Sequence, residues 1–255
     1  MTKKLLKRIL LTSAIAVLGV STSFAALVME QDQSVDTAPS VNMYRFEVPA
    51  ELQGTYNNVG VSNLTASMEK EPNTLSMNVA HVKGNPSESY VVEIYKDLAA
   101  IETHRKSNHY QAFVNEVGSK LTNRKMYDVQ SVLLFEKKDA LSIVNDGKAV
   151  VTLTEFTVNS NDTDTVQRQY QLDIERAVRD DAGYKAGYVL RERNTKNHWY
   201  VIQIYSDQVA LTKHVNSPGY RFMMSQIQGS LQNVTTKVLD GDILVNHGGQ
   251  AFVRP

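Results

Sequence analysis

The 255-residue chain contains no cysteine, and this absence removes several classes of chemistry at once. Disulfides, zinc–thiolate sites, iron–sulfur clusters and thiol nucleophiles are excluded, and so is a lipid anchor on an N-terminal cysteine. No glycine-rich nucleotide-binding loop occurs, so the sequence signature of a flavin or nicotinamide site is also missing. We therefore expect a fold that depends on its hydrophobic core, and a protein that uses no cofactor.

Acidic residues outnumber basic residues beyond residue 25. Residues 1–25 have the pattern of a secretory signal peptide, with four basic residues, the apolar run Ile9–Val20, and Ser23-Phe24-Ala25 before the cleavage point. This segment takes four of the 27 basic residues and none of the 27 acidic ones, which leaves a net charge of −4. The pattern predicts a periplasmic or secreted bacterial protein, with an uncleaved anchor helix as the alternative. An acidic chain without a basic cluster does not predict a nucleic-acid partner, and no later segment is apolar enough to span a membrane.

An internal repeat organises the remaining sequence. Residues 90–121 align with residues 200–231 at a constant offset of 110, without a gap and with ten identical positions. An ungapped match of this length indicates two copies of one domain. We expect a flexible leader at residues 26–40, a first copy at 41–136, a linker at 137–148, a second copy at 149–246 and an irregular tail at 247–255.

Each copy predicts the element order β-α-β-β-α-β. Alternating and helical hydrophobic patterns follow one another in this order, and Asp97 and Ser107, with their counterparts Asp207 and Ser217, are placed as helix N-caps. The predicted strands are 41–48, 75–82, 90–95 and 131–135 in the first copy, and 151–158, 185–191, 200–205 and 242–245 in the second. This is the α+β order of a ferredoxin-like unit, whose sheet has one uncovered face. Two fused copies are expected to cover each other's faces as a pseudo-dimeric α/β barrel within a monomer.

Three motifs of the first copy resemble the antibiotic biosynthesis monooxygenase (ABM) domain. They are Glu71-Pro72, Glu93-Ile94-Tyr95, and the Ala-x-x-x-His-x-x-Ser-x-x-Tyr pattern from Ala100 to Tyr110. The resemblance extends over both copies and implies a barrel that the family usually builds from two chains. It also implies several possible activities, among them oxidation of electron-rich phenols with O₂ and no metal or prosthetic group, haem degradation, and isomerisation of small signalling molecules. The second copy departs from the motifs at Gln203 and at Asp181-Ala182.

The candidate catalytic residues are His104, Glu93, Tyr95 and His214. An imidazole titrates near neutral pH and can take a phenolic proton, which would make the aromatic ring electron-rich enough to react with O₂. Each histidine could instead be a packing residue on its short helix. Glu93 could be a base or a structural hydrogen-bond acceptor, and Tyr95 could orient a substrate or belong to the core.

Four further aromatic residues are candidates for substrate binding. Tyr205 lies on the predicted strand 200–205, and Trp199 adjoins the start of that strand. Tyr110 and Tyr220 lie on the predicted helices that follow Ser107 and Ser217. In each of these places the ring could stack on a planar molecule. Core or edge packing is the alternative for each of them.

No metal site is predicted from the spacing of the possible ligands. His104 and His109 are five residues apart across a predicted helix break, and no acidic residue lies at a ligand-like offset from them. In the family that these motifs resemble, haem degradation uses a histidine on the last helix. The helix after His109 and its counterpart contain none, so the resemblance does not imply haem degradation here. Two functions remain open: a cofactor-independent oxygenase of a small, quinol-like aromatic molecule, and a non-catalytic periplasmic protein that binds a small molecule or a partner on the same barrel.

Overall fold

The computed structural model describes residues 38–255, so the predicted signal peptide and most of the predicted leader lie outside the described residues. The first copy consists of β1 (Ser40–Glu47), α1 (Gln53–Lys70), β2 (Thr74–Val82), β3 (Asn85–Tyr95), α2 (Leu98–Lys106), α3 (Asn108–Val117), β4 (Thr122–Tyr127) and β5 (Val129–Glu136). After β6 (Leu141–Val144), the second copy consists of β7 (Val150–Val158), α4 (Thr163–Asp180), β8 (Tyr184–Glu192), β9 (His198–Tyr205), α5 (Gln208–Val215), α6 (Pro218–Ile227) and β10 (Leu231–Asn246), and β11 (Ala251–Val253) follows. Within residues 38–255, none of the helices combines the length and the apolar character needed to cross a bilayer.

Side-chain caps start the short helices at the predicted places. Asp97 and Asp207 each accept the backbone N–H three residues further on at 2.8 Å, which begins α2 and α5. Ser107 and Ser217 accept a backbone N–H in the same way at 3.2 Å, which begins α3 and α6. These hydrogen bonds satisfy N–H groups that the first helical turn leaves without a partner. They also fix the direction of the chain on either side of His104 and His214.

The two copies exchange the ends of their last strands. In the second copy, the first half of β10 pairs with β7 of its own copy, and the second half pairs with β2 of the first copy. In the first copy, β4 pairs with β1 of its own copy, and β5 pairs with β8 of the second copy. All of these pairings are antiparallel, and the strands form one sheet in the order β11-β5-β8-β9-β7-β10-β2-β3-β1-β4.

The inner faces of the two halves of the sheet form a shared core. One cluster of buried side chains combines Val92 and Leu134 of the first copy with Tyr188 and Ile202 of the second. Tyr127 and Tyr200 meet edge to face across it with their ring centroids 5.3 Å apart. The helices of each copy cover one outer face in a separate cluster, and the exchanged strand of the other copy contributes to it, with Leu133 in one cluster and Val245 in the other. The predicted α+β fold of two fused ferredoxin-like repeats is therefore confirmed.

The closed barrel is corrected to an open sheet, whose strand order ends at β4 and β11 and which has β6 as a further edge strand beside β10. The ladder is interrupted at Asp128, between β4 and β5, where the carboxylate accepts a hydrogen bond from Asn194 at 2.9 Å and pairs with Arg193 at 3.4 Å. The second copy has Val238 at this position, and β10 continues through it without a break.

Three strands were not predicted from the sequence. The strand β4 precedes the predicted last strand of the first copy, β6 lies within the predicted linker, and β11 lies within the predicted tail. The strands β6 and β11 are only four and three residues long, and each pairs with the last strand of a copy. Such short edge strands depend on a long-range partner rather than on a local hydrophobic pattern.

A buried carboxyl group predicts how the stability of this fold depends on pH. Burial raises the pKa of Glu136 to about 7 from its ordinary value of 4.5, although its hydrogen bond from the Tyr188 hydroxyl at 2.7 Å acts in the opposite direction. Between these two pH values the unfolded chain releases a proton that the folded chain retains, so the free energy of unfolding falls as the pH rises.

The variant Glu136→Gln should remove this dependence, because the amide keeps an acceptor for Tyr188 and cannot ionise. We expect the variant to be more stable than the wild type at pH 8, by at most about 3 kcal/mol, with a smaller difference at pH 5. Urea denaturation at the two pH values measures this. Equal differences at pH 5 and pH 8 would contradict the assigned protonation.

Candidate functional site

A cavity of about 220 Å³ lies in the first copy, between the outer face of its sheet and the helices that cover it. The strands β1 and β3 contribute Tyr44, Glu93 and Tyr95 to its wall, and α2 and α3 contribute His104 and Tyr110. Residues from both sides of the helix–sheet interface therefore line one cavity, which is partly open to solvent. By contrast, the cavity between the two halves of the sheet has a volume of only about 20 Å³, which is the size of one water molecule.

Two small residues make room for the large cavity. Gly60 on α1 and Ser89 on β3 both line it, and their counterparts in the second copy are Tyr170 and Trp199. Trp199 is fully buried, and Tyr170 stacks on Phe156 with ring centroids 5.8 Å apart. In the second copy, aromatic rings thus occupy the positions that surround the cavity of the first copy.

His104 combines a fixed nitrogen with an unpartnered one. The side chain is only 1% exposed, and its Nδ1 lies 3.1 Å from the nearer carboxylate oxygen of Glu71 and 3.3 Å from the Ser67 hydroxyl. Thr74 donates to the same carboxylate at 2.8 Å and thereby holds it in place. Nε2 is buried without a hydrogen-bond partner in the described residues. A carboxylate on Nδ1 favours the tautomer with the hydrogen on Nδ1, which leaves Nε2 as a proton acceptor beside the cavity.

Glu93 is held by two donors on one of its oxygens. Tyr95 donates its hydroxyl to Oε2 at 3.0 Å, and Asn42 donates its amide to the same atom at 3.1 Å. The carboxyl group is buried in the cavity wall, so its remaining acceptor capacity faces the cavity. The counterpart Gln203 instead donates to the Tyr184 hydroxyl at 3.1 Å.

The tyrosines of the cavity are neutral hydrogen-bond donors at ordinary pH. Burial, with a contribution from the Glu93 carboxylate, raises the pKa of Tyr110 to about 12. The same two causes raise the pKa values of Tyr44 and Tyr95 well above the ordinary value. Among the cavity groups named here, this leaves His104 and Glu93 as the candidate proton acceptors.

The corresponding histidine of the second copy has a carboxylate near each nitrogen. Nδ1 of His214 lies 3.4 Å from Asp181, and Nε2 lies 3.3 Å from Asp173. Burial alone would raise the pKa of Asp173, but hydrogen bonds from His214 and Arg176 outweigh it and lower the pKa. His214 is fixed within a charged cluster and has no nitrogen free to take a proton from a ligand.

The predicted residues therefore fall into two groups. His104, Glu93, Tyr95 and Tyr110 line the cavity of the first copy. The aromatic rings of Tyr205 and Tyr220 pack against His214 in the second copy, with centroids 5.6 and 5.1 Å from it, and Trp199 donates its indole N–H to the Lys196 carbonyl oxygen at 3.0 Å.

Two important polar residues were not among the predicted site residues. The sequence places Glu71 only in the Glu71-Pro72 motif, whereas in the structure its carboxylate holds His104. His109 Nε2 lies 2.7 Å from a carboxylate oxygen of Glu71, so a single carboxylate contacts both imidazoles. A signal for the first contact exists in the sequence, because Asp181 and His214 repeat the 33-residue spacing of Glu71 and His104.

Comparisons with known proteins agree with this arrangement. The family model described as antibiotic biosynthesis monooxygenase matches residues 39–116 and 149–225. A crystal structure of a provisionally assigned monooxygenase from Lactobacillus acidophilus superposes with a TM-score of 0.78 at 19% identity, over 84% of this chain and 99% of that one. A second, from Fusobacterium nucleatum, has a TM-score of 0.76 at 18% identity, over 86% and 100% of the two chains.

A more distant structure, described as an anthrone oxidase-like protein, has a TM-score of 0.50 at 10% identity and covers 87% of this chain and 98% of its own. No curated protein is similar enough to count as a match. At these identities the solved structures show a common fold, which extends over both copies in the first two cases. Because the family model matches more than half of the residues, in two tandem segments, the chain belongs to the antibiotic biosynthesis monooxygenase family, and this membership supports a monooxygenase-like function.

Proposed function

We propose that the protein is a cofactor-independent monooxygenase of a small, electron-rich, quinol-like aromatic molecule, and that the reaction takes place in the cavity of the first copy. The observation that carries this proposal is the state of His104. His104 lines the cavity, its Nδ1 is held by Glu71, and its buried Nε2 has no hydrogen-bond partner in the described residues. This is the arrangement that a general base requires.

The size and lining of the cavity favour a single substituted aromatic ring or a compact fused ring. An apolar cavity of about 150 Å³ is large enough for benzene, and the cavity here measures about 220 Å³. Phe46, Phe113 and Tyr110 supply aromatic surface on which a flat molecule can pack. The Tyr44 hydroxyl can donate a hydrogen bond to a substrate oxygen, and the Glu93 carboxylate can accept one from a substrate hydroxyl.

The proposed reaction uses the substrate as its own reductant. His104 Nε2 takes a proton from the phenolic or benzylic position, and the resulting anion transfers an electron to O₂. The two radicals combine into a peroxide on the ring carbon, and the imidazolium returns its proton to the outer peroxide oxygen. The same ring carbon then loses its remaining hydrogen as a proton. The electron pair of that C–H bond forms the C=O bond as the O–O bond breaks, and the departing hydroxide takes up the proton. One oxygen atom stays on the substrate and the other leaves as water, while the substrate supplies both hydrogens and the electrons.

The alternative, a non-catalytic binding protein, is less well supported by the site. A filled interior in both copies would have favoured it, whereas the first copy has an open cavity lined by His104 and Tyr95. The structural relative described as anthrone oxidase-like also has a name that refers to an electron-rich aromatic molecule. We propose that the second copy is a scaffold that completes the shared core.

The first test compares the same substitution at the two symmetric histidines. We expect His104→Gln to lower the rate of O₂ uptake with a panel of hydroquinones and anthrones by about 100-fold or more, because a general base is lost. His214→Gln should keep the rate of the folded protein, as judged by circular dichroism. An equal loss in both variants, or wild-type uptake no faster than autoxidation across the panel, would contradict the proposed role.

A second test closes the cavity with side chains that the second copy already uses. The double variant Tyr56→Val/Ser89→Trp reproduces Val166 and Trp199, and it removes both partners of the 3.0 Å Tyr56–Ser89 hydrogen bond together. We expect a folded protein whose O₂ uptake falls to the autoxidation rate, because the indole occupies the space of the substrate. A crystal structure of the variant verifies the ring position, and full activity with a filled cavity would exclude this cavity as the site.

A further inference from the structure

We propose that Glu71, His104 and His109 form a binding site for one divalent transition-metal ion, placed behind His104 as seen from the cavity. The three residues come from different elements: Glu71 follows α1, His104 lies on α2 and His109 is near the start of α3. One ligand atom from each lies within 4.8 Å of the other two. Their separation along the sequence explains why helical spacing did not reveal them.

The geometry differs from that of an ordinary histidine–carboxylate pair. Nδ1 of His104 is 3.1 Å from one oxygen of Glu71, and Nε2 of His109 is 2.7 Å from the other. Two imidazoles therefore converge on one carboxylate. Glu71 and His104 are buried, and the His109 side chain is 13% exposed, so an ion could enter past His109. The Thr74 hydroxyl already orients the carboxylate from behind.

The other histidine clusters of the described residues cannot hold an ion in this way. His81, His198 and His214 each have one carboxylate near Nδ1 and a different carboxylate near Nε2, at distances from 2.8 to 3.8 Å. The two ring nitrogens point in opposite directions, so these pairs of carboxylates do not converge on a common point. Within the described part of the chain, three such ligands converge only at Glu71, His104 and His109.

In the second copy, an arginine side chain occupies the place that corresponds to the proposed metal site. Asp181, the counterpart of Glu71, pairs with the Arg176 guanidinium at 3.6 Å. The counterpart of His109 is Gly219, and a side chain there would collide with Arg176. The first copy has Ala66 in place of Arg176, so its carboxylate has no guanidinium and faces two imidazoles instead. Two neutral imidazoles and a carboxylate form a ligand set for a metal ion, with a charge complementary to it.

The ligand set favours zinc, iron(II), cobalt(II) or manganese(II). Two nitrogens and a carboxylate oxygen are common ligands for these ions, and three protein ligands leave a coordination position for water.

A metal on Nδ1 of His104 has a consequence that rests on the proposed function. The neutral imidazole must then carry its hydrogen on Nε2, so the nitrogen beside the cavity changes from a proton acceptor to a donor. Metal binding should therefore inhibit the oxygenase.

Metal binding can be measured without reference to activity. We would treat the untagged mature protein with EDTA, remove the chelator, and titrate it with Zn²⁺ by calorimetry and with Co²⁺ by visible absorption. We expect one equivalent to bind, and His109→Ala to raise Kd by at least about tenfold. The second copy tolerates glycine at this position, so the variant should fold. The matched control is His198→Gln, which removes a histidine flanked by two carboxylates and should leave Kd unchanged.

Three results distinguish the proposed metal site from the inhibition that metal binding is expected to cause. No saturable binding, or a loss of binding in His198→Gln rather than in His109→Ala, would overturn the metal site. Zinc that binds as expected but does not slow O₂ uptake by the wild type would overturn the inhibition. A protein that binds zinc but oxidises no member of the aromatic panel would contradict the proposed oxygenase and leave the metal site supported.

Discussion

The exchange of last strands between the two copies is the constraint on which the rest of the structure depends. Each sheet has one face that its own helices do not cover. The strand β10 pairs with β7 of its own copy and with β2 of the other. In the same way, β4 pairs with β1 of its own copy, and the next strand, β5, pairs with β8 of the other. These pairings hold the two uncovered faces together as one core. The cavity between the two halves of the sheet is small, whereas the large cavity lies on the outer side, under the helices. We propose that the chain is a monomer, because one chain supplies both of the sheet faces that form this core.

The shared core leaves the two outer layers free to differ. Both copies keep a histidine beneath the short helix and a carboxylate 33 residues before it. In the first copy, small residues at positions 60 and 89 leave a cavity, and one nitrogen of His104 has no hydrogen-bond partner within residues 38–255. In the second copy, Tyr170, Trp199 and a carboxylate on each side of His214 fill and fix the equivalent region. We therefore propose that the same fold supports one reactive histidine and one structural histidine.

Local patterns in the sequence predict much of this fold, and long-range contacts account for what they miss. The 110-residue offset, the caps at Asp97 and Ser107, and the alternating strands identify two ferredoxin-like units. The offset also identifies His104 and Tyr95, which recur as His214 and Tyr205, whereas Glu93 is identified by the Glu93-Ile94-Tyr95 motif of the first copy. The strand exchange and the short strands β6 and β11 depend on partners far along the chain. Glu71 and His109 join His104 only after three elements pack together, so no single helical spacing could reveal them.

The most direct test of the central claim is the position of a bound aromatic molecule. A crystal of residues 26–255 can be soaked with a naphthohydroquinone under anaerobic conditions, so that the substrate binds and cannot react. We predict one molecule per chain, in the first copy, with a hydroxyl group within hydrogen-bonding distance of His104 Nε2. Density for the ring beside His214, between the two halves of the sheet, or at both histidines would contradict the assignment of a single working site.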